Sequence, residues 1–445
     1  MREAPFIHSV IVLLEEIYST RKAADRICTS FFRANHFMGS HDRRHMSDFV
    51  YDVLRHHARL HWVINQTNVC PKNQLERIRL LVLTYLSVIK NQSFERIKNH
   101  FGQQFGPEML SAPEIKLLEI LARHKWAEKL MNGPEYVRFE VPEWVYQLLS
   151  LEYPHVLKEL LSSFSEQAFL DLRVNSIKTD KEDIYRRLAE QKIPVNLTPY
   201  SPWGLRIKNK ISITASPEFQ KGEVEIQDEG SQIIALLTQV KPGMRVLDFC
   251  AGAGGKTLAL AGMMQNKGFI LALDIHEDRL ERARKRLTRA GVHNAKCQLL
   301  PKDTDQWMKR HIENFDLVLI DAPCSGSGTW RRNPEARWRV EESQLKDLSV
   351  IQEKLLTDAA QLVKKGGQIV YSTCSLFSLE NEAVINKFLQ KSQSFKLYKM
   401  TDWLHYHRLI SLMPLIQNNE DYLKLLPFTH HTDGFFGAIL EKKAE

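Results

Sequence analysis

From Lys241 onward, short runs rich in Val, Ile and Leu alternate with longer amphipathic stretches. No other feature limits the fold of this chain so strongly. The runs "RVLDFC", "FILALDI", "FDLVLID", "GQIVYST" and "GFFGAIL" read as strands, and the segments between them as helices. Strands alternating with helices imply an α/β, Rossmann-like, doubly wound sheet dominated by parallel strands. In such a sheet ligands bind at the C-terminal ends of the strands, so the residues just after each run are the places to look for chemistry.

The first part of the chain has a different texture. Residues 1–132 are poor in Gly and Pro and read as helical. "SDFVYDVLRHHARLHWVI" places Phe49, Val50, Val53, Leu54 and Leu60 at helical spacing, with Ser47 as its N-cap. "LERIRLLVLTYLSVI" is apolar on most sides and predicts a helix central to a bundle. Arg43, Arg44, Arg55, Arg59, Arg77, Arg79, Arg96 and Lys98 stud the polar faces. Each alone reads as a solvated charge; as a set they suit an RNA-facing surface. Residues 133–235 mix short helices with the strand-like runs "FLDLRVNS", "WGLRIKN" and "EVEIQDEG", a small α+β connecting module. Residues 236–445 form the third, catalytic-looking domain.

Composition narrows the function classes. At 43% hydrophobic and 26% charged residues the 445-residue chain is ordinary for a soluble protein, and its net charge of +8 is compatible with a polyanionic partner. No apolar run approaches the ~18 residues of a membrane span. "FIHSVIVLL" is short, holds His8, and runs into Glu15 and Glu16, so it reads as a helix and not a signal peptide. Six scattered cysteines, none in a Cys-x-x-Cys pair, predict reduced cytoplasmic thiols and no structural zinc. His56-His57 and His430-His431 are adjacent pairs that point to different faces, so no metal site is expected.

"DFCAGAGGKT" lies between a strand and the helix-like "TLALAGMM". Its glycines allow tight turns and close approach of a ligand to the backbone. A Walker A loop needs Gly six residues before the Lys, where this chain has Cys250, and a dinucleotide fingerprint needs a third glycine where Thr257 stands. Three carboxylates then mark successive strand ends: Asp274 after "LALD", Asp303 in "LLPKDTDQW", and Asp321 after "LVLID". A ribose acceptor, an adenine-side acceptor and an active-site acid in that order form the layout of an S-adenosylmethionine methyltransferase.

"DAPCSGSG" at Cys324 and "YSTCSLFSLENE" at Cys374 resemble the RNA 5-methylcytosine methyltransferases of the RsmB and Nop/Sun type. "FCAGAGGKT" resembles their cofactor loop, with Ala253 in place of the usual Pro. "LRVNSIK", "QDEGSQ" and "LPFTHHTDGFFGAIL" match further stretches, and "HDRRHMSDFVYDVLR" resembles the NusB-like extension of the RsmB branch. The resemblance therefore covers nearly the whole chain. It implies a NusB-like RNA-binding domain at 1–132, S-adenosylmethionine as cofactor, small-subunit rRNA as partner, and a cytoplasmic monomer without metal. It implies a cofactor site built from Cys250, Ala251, Gly252, Ala253, Gly254, Gly255, Lys256, Asp274, Arg279, Asp303 and Asp321.

Chemistry explains the value of two cysteines. Cytosine C5 is a poor nucleophile until a thiolate adds to C6. Charge growing toward N3 and O2 then needs stabilisation, for which Asp321 is placed. The resemblance assigns attack to Cys374 and product release to Cys324. DNA cytosine-5 methyltransferases use a single cysteine after Pro, which would make Cys324 the nucleophile, but the Thr-Cys motif and the N-terminal half argue against that. Cys250 and Cys297 read as small core residues. Lys256 is expected to contact base or cofactor, or to cap its loop. Arg331 and Arg332 are expected on RNA phosphate, and Asn175 and Lys178 near the RNA or active site. A tRNA methyltransferase and a non-catalytic RNA-binding assembly factor are the rival readings.

Overall fold

The computed structural model describes residues 2–208, 211–416 and 420–444. They gather into two compact units. One runs to Glu166 and includes Trp330–Glu342; the other holds Gln167–Thr329 and the chain from Ser343 onward.

The first unit is helical. "FIHSVIVLL" lies in the helix Glu3–Ser19, whose Val10, Leu13, Leu14 and Ile17 are buried. The helix holding Phe49 to Leu54 starts earlier than Ser47: it spans Ser40–Arg55 with Gly39 at its N-cap, so Ser47 sits mid-helix. A break at His56 begins a second helix, His57–Gln66. Gln74–Thr84 is central, as its all-round apolarity predicts, with Ile78 to Thr84 buried. Arg79 is among them. Its guanidinium pairs with Glu114 (Nε–Oε1 2.5 Å), so it does not belong to the expected basic surface.

The chain returns to this unit at Trp330. Arg337 is fully buried and donates to the carbonyls of Glu140 (2.8 Å) and Phe164 (2.9 Å). Trp338 stacks on His57 (4.3 Å between centroids), and Arg339 donates to the carbonyls of Ile17 and Lys22. Arg331 lies in the same segment, only 3% exposed. Burial removes it from reach of a phosphate chain, contrary to the sequence expectation; Arg332 is half-buried.

The second unit opens with a four-stranded antiparallel sheet, β1 (Leu170–Val174), β2 (Val195–Leu197), β3 (Gly204–Ile207) and β4 (Val224–Ile226), in the order β2-β3-β1-β4. Three of these strands were legible; the three-residue β2 was not, and Asn209 of "WGLRIKN" lies outside the described residues. The larger sheet is β5 (Arg245–Asp248), β6 (Phe269–Asp274), β7 (Ala295–Leu299), β8 (Phe315–Asp321), β9 (Val363–Thr373), β10 (Phe395–Leu397), β11 (Leu423–Leu425) and β12 (Phe435–Lys442). Strands β7-β6-β5-β8-β9 are parallel; β12 joins β9 antiparallel and carries β10 and β11. β5, the first strand in sequence, is central. Its crossovers run outward to β6 and β7 on one side and to β8 and β9 on the other. The chain therefore reverses direction across the sheet beside β5, which opens a crevice at the strand ends. Val246, Leu247, Val318, Leu319, Ile369 and Val370 are buried on the two faces, as strands covered on both sides require.

Candidate active site

The loop between β5 and the helix Gly255–Met263 is shaped by two left-handed glycines, Gly252 (φ +54°) and Gly254 (φ +77°). A side chain at Gly254 would press on Ala283 (Cβ–Cβ 3.0 Å), whereas one at Gly252 would meet nothing within 4 Å. The loop is thus packed on one side and open beside Gly252, the geometry a close-lying ligand needs. Ala251 is buried, and Ala253 carries the methyl between the two glycines. Cys250 is half-buried, and burial with nearby carboxylates pushes its thiol up, so it stays protonated.

Asp274 ends β6 and faces this loop. Its Oδ2 accepts the Gly252 N–H and its Oδ1 the His276 N–H, both at 2.8 Å. Asp303 does not end a strand. It lies beyond β7, exposed, and N-caps the helix Thr304–Arg310 by accepting the Gln306 N–H at 3.0 Å. Arg279 is exposed on the first turn of the helix Glu277–Ala290.

Asp248, at the end of β5, was not singled out from the sequence. It is fully buried; the Thr257 hydroxyl donates to Oδ2 at 2.6 Å and Oδ1 has no partner. Burial pushes its carboxyl up to about 7, with the carboxylates of Asp321 and Asp274 adding to the shift. A strand-end acid in an apolar run was the only signal it offered.

Asp321, 34% exposed, ends β8. Lys256 Nζ lies 2.6 Å from its Oδ2, and the Ser372 hydroxyl donates to Oδ1 at 3.2 Å. Lys256 is buried and lies over the Phe435 ring, 5.3 Å from its centroid. The sequence reading expected Lys256 on the base or cofactor or capping its loop; the contact observed is a salt bridge to Asp321.

The two cysteines meet. Fifty residues apart, on the loops leaving the adjacent parallel strands β8 and β9, Cys324 Sγ and Cys374 Sγ are 3.4 Å apart. The Cys324 thiol is pushed well up, first by its hydrogen bond with Cys374, then by burial and by Glu380. The contact is an S–H···S hydrogen bond in which either sulfur can be the donor.

A carboxylate that sequence reasoning missed builds this pair. Glu380 is fully buried and accepts the Ser325 N–H (2.9 Å) and hydroxyl (2.5 Å), the Ser375 hydroxyl, and the Gln352 amide (3.1 Å). It ties together the residues that follow the two cysteines. The Cys374 carbonyl accepts the Gly328 N–H at 2.9 Å, and Asn381 accepts the Thr373 hydroxyl while donating to the Ser375 carbonyl. Asn175 and Lys178 lie elsewhere. Asn175 donates to the carbonyls of Gly222 and Ala290, and Lys178 to those of Lys221 and Arg289. They fasten the small sheet to the end of the helix Glu277–Ala290, and their side chains are spent on that role. Cys297, in β7, is half-buried. Among the described residues no cluster of three or more His, Cys, Asp or Glu could hold a metal, and no helix is long and apolar enough to cross a membrane.

A family model described as 16S rRNA methyltransferase RsmB/F matches residues 235–441, and one described as an RsmF/B-like ferredoxin-like domain matches residues 141–214. A probable ribosomal RNA small subunit methyltransferase B of Synechocystis sp. is 32% identical over 429 residues, covering 92% of this chain and 93% of its own. The probable ribosomal RNA small subunit methyltransferase B of Bacillus subtilis is 34% identical over 433 residues, covering 91% and 92%. Among solved structures, that of PH0851 superposes with a TM-score of 0.81 at 26% identity, covering 99% of both chains.

Proposed function

Because this chain belongs to the RsmB/F family of 16S rRNA methyltransferases, we propose that it transfers a methyl group from S-adenosylmethionine to C5 of a cytosine in small-subunit ribosomal RNA, through a covalent bond between Cys374 and C6 of the base. The observation that carries the chemistry is the 3.4 Å approach of the two thiols beside Asp321.

The residues at the crevice fit the cofactor. The open space beside Gly252 admits a ligand against the backbone, and Asp274 offers its remaining lone pairs to ribose hydroxyls. Exposed Asp303 and Arg279 flank it. When bound, S-adenosylmethionine supplies an electrophilic methyl group. Everything else falls to the chain.

With Cys324 as the S–H donor, the hydrogen bond between the two sulfurs stabilises a thiolate formed at Cys374, the group that attacks C6. Addition raises electron density on C5 and pushes charge toward N3 and O2. Lys256 and Asp321 lie as a charged, hydrogen-bonding pair to meet that charge and to share a proton with N3. Once methylated, C5 must lose its proton and the C6–S bond must break. The largest cause of the raised Cys324 pKa is Cys374. That contact is lost once the Cys374 sulfur is bonded to carbon; Cys324 then gives its S–H proton to solvent, and the thiolate so formed takes the C5 proton. Electrons of the C5–H bond then form the C5–C6 double bond as Cys374 leaves as thiolate.

The target base must leave its stack to reach two half-buried sulfurs, which suits an RNA loop or bulge better than continuous duplex. The helical residues 1–132 and the module 133–235 are assigned to RNA binding, and residues 236–445 to catalysis. Bisulfite mapping of rRNA and tRNA from cells with and without the gene, with labelled S-adenosylmethionine and purified RNA in parallel, tests this reading. Loss of one small-subunit 5-methylcytosine supports it. A lost tRNA site would move the substrate, and cofactor binding without methyl incorporation into any RNA would sink the enzymatic reading.

A further inference from the structure

The loop that follows β5 is gripped from outside at three nearby points. The Gly252 N–H is held by Asp274. The Ala253 carbonyl accepts from Arg286 Nη1 at 2.8 Å, and the Gly255 carbonyl accepts from Arg173 Nη1 at 2.7 Å. Neither arginine lies in a sequence motif of the cofactor loop. Arg286 projects from the helix Glu277–Ala290, and Arg173 from β1 of the small sheet.

Both guanidiniums are themselves fixed. Glu225 Oε2 accepts from Arg286 Nε at 3.2 Å and from Nη2 at 3.1 Å, and Arg289 takes the other oxygen of the same carboxylate. Arg173 is buried and also donates to Gln227 Oε1, whose amide donates to the Ser231 hydroxyl. Glu225 is paired in register with Arg173 across β4 and β1. Two charged donors, each oriented by a second residue, thus end on carbonyls of one short loop.

The loop needs such restraint. Gly252, Gly254 and Gly255 have no side chain to pack, and two of them sit in the left-handed region. Ordering each residue of a flexible segment costs about 1–2 kcal/mol in backbone entropy, and glycine is the most expensive. Ala253 has negative φ but no ring to fix it.

We propose that Arg173 and Arg286 are positioning residues for the cofactor: held by Gln227 and Glu225, they lock the loop backbone in the shape that receives S-adenosylmethionine and so set its affinity without touching it. This rests on the assignment of that loop as the cofactor site. It also gives the small sheet, through β1 and β4, a direct hand in cofactor binding.

The test uses the full chain. Arg286→Met, at a partly exposed position, and Arg173→Met are compared with the native protein by calorimetric titration with S-adenosylmethionine and by hydrogen exchange of residues 250–258 without ligand. Each variant should weaken cofactor binding about tenfold, the worth of one charged hydrogen bond. Exchange in the loop should rise, while kcat at saturating cofactor and KM for RNA stay near native. Glu225→Gln, which keeps both arginines but loosens Arg286, should give a smaller loss of the same kind. Ala253→Pro placed on Arg286→Met should restore both affinity and protection, because the ring supplies the missing restraint. Native affinity and native exchange in Arg286→Met would overturn the inference while leaving the cofactor assignment intact, and failure of the Pro variant to restore either would overturn the stiffness account. A native chain that binds no S-adenosylmethionine would sink the cofactor assignment, and the exchange measurement would still decide whether the arginines hold the loop.

Discussion

Two sulfurs 3.4 Å apart ask for a division of labour, with Cys374 proposed to attack and Cys324 to assist release. Cys374→Ala should abolish both methyl transfer and covalent attachment to RNA. Cys324→Ala should slow release, so that a protein–RNA adduct survives denaturing electrophoresis. Full activity in the Cys374 variant, with loss but no adduct in the Cys324 variant, would reverse the roles. Glu380 touches neither sulfur, yet it fixes the residue after each. Glu380→Gln leaves one of its hydroxyl or N–H donors without an acceptor at the cost of ~1–3 kcal/mol. It should also cut kcat by about 10–100-fold through misplaced cysteines, with KM for the cofactor near native. Unchanged kcat in a folded Glu380→Gln protein would remove it from the positioning machinery.

Among the elements, the loop after β8 and the loop before β12 touch through glycine. Gly434 donates its N–H to the Gly328 carbonyl at 2.8 Å, and a Cβ at Gly328 would lie 2.2 Å from the Gly434 oxygen. No flexible side chain can yield there, because the obstacle is backbone. Gly328→Ala should cost ~1–3 kcal/mol and disturb Cys374, whose carbonyl accepts the Gly328 N–H. Gly252→Ala is the instructive contrast. Its Cβ meets open space, so the cost is the ~1–2 kcal/mol of left-handed strain, and the larger effect should be on cofactor affinity. Thermal melts and cofactor titrations of the two variants check the pair; a cofactor affinity no lower in Gly252→Ala than in Gly328→Ala would contradict it.

At the scale of the whole molecule, the helical unit is not continuous in sequence. Arg337 satisfies buried carbonyls of Glu140 and Phe164 from a segment almost two hundred residues away. A fragment of residues 1–166 lacks that segment. Each missing charged hydrogen bond is worth about 1.5–3 kcal/mol, so the fragment should melt well below the intact chain or fail to fold, as circular dichroism would show. The pH dependence of stability has a marked contributor in Asp248. Its folded pKa is raised to about 7 from an ordinary 3.8, so its contribution is most favourable below about pH 4 and is lost as pH rises through about 7. Asp248→Asn does not titrate, so its melting temperature relative to the native chain should improve from pH 5 to pH 8. The full swing is at most about 4 kcal/mol at ~1.4 kcal/mol per pKa unit. A pH-independent difference would refute the buried-acid assignment.

The sequence by itself indicated a parallel-dominated α/β sheet and the runs that became β5, β6, β8, β9 and β12, because apolar strand runs separated by helix-length segments leave few alternatives; the strand order, the antiparallel setting of β12 and the strands β7, β10 and β11 came from the fold. It also determined the two cysteine motifs, the glycine loop and the acids at Asp274 and Asp321, because local residue types carry those signals. Tertiary structure decided the rest. That the thiols touch, that Glu380 joins their loops, that Arg173 reaches the glycine loop from another sheet, and that Arg331 is buried instead of presented to RNA all depend on distant segments meeting. Asp303 lies past β7, where the sequence reading put it, and the fold adds that it caps the helix Thr304–Arg310. A lone buried carboxylate or arginine has no periodicity and no motif. Its role is set by which donors and acceptors the fold places within 3 Å, and only the packed chain specifies that.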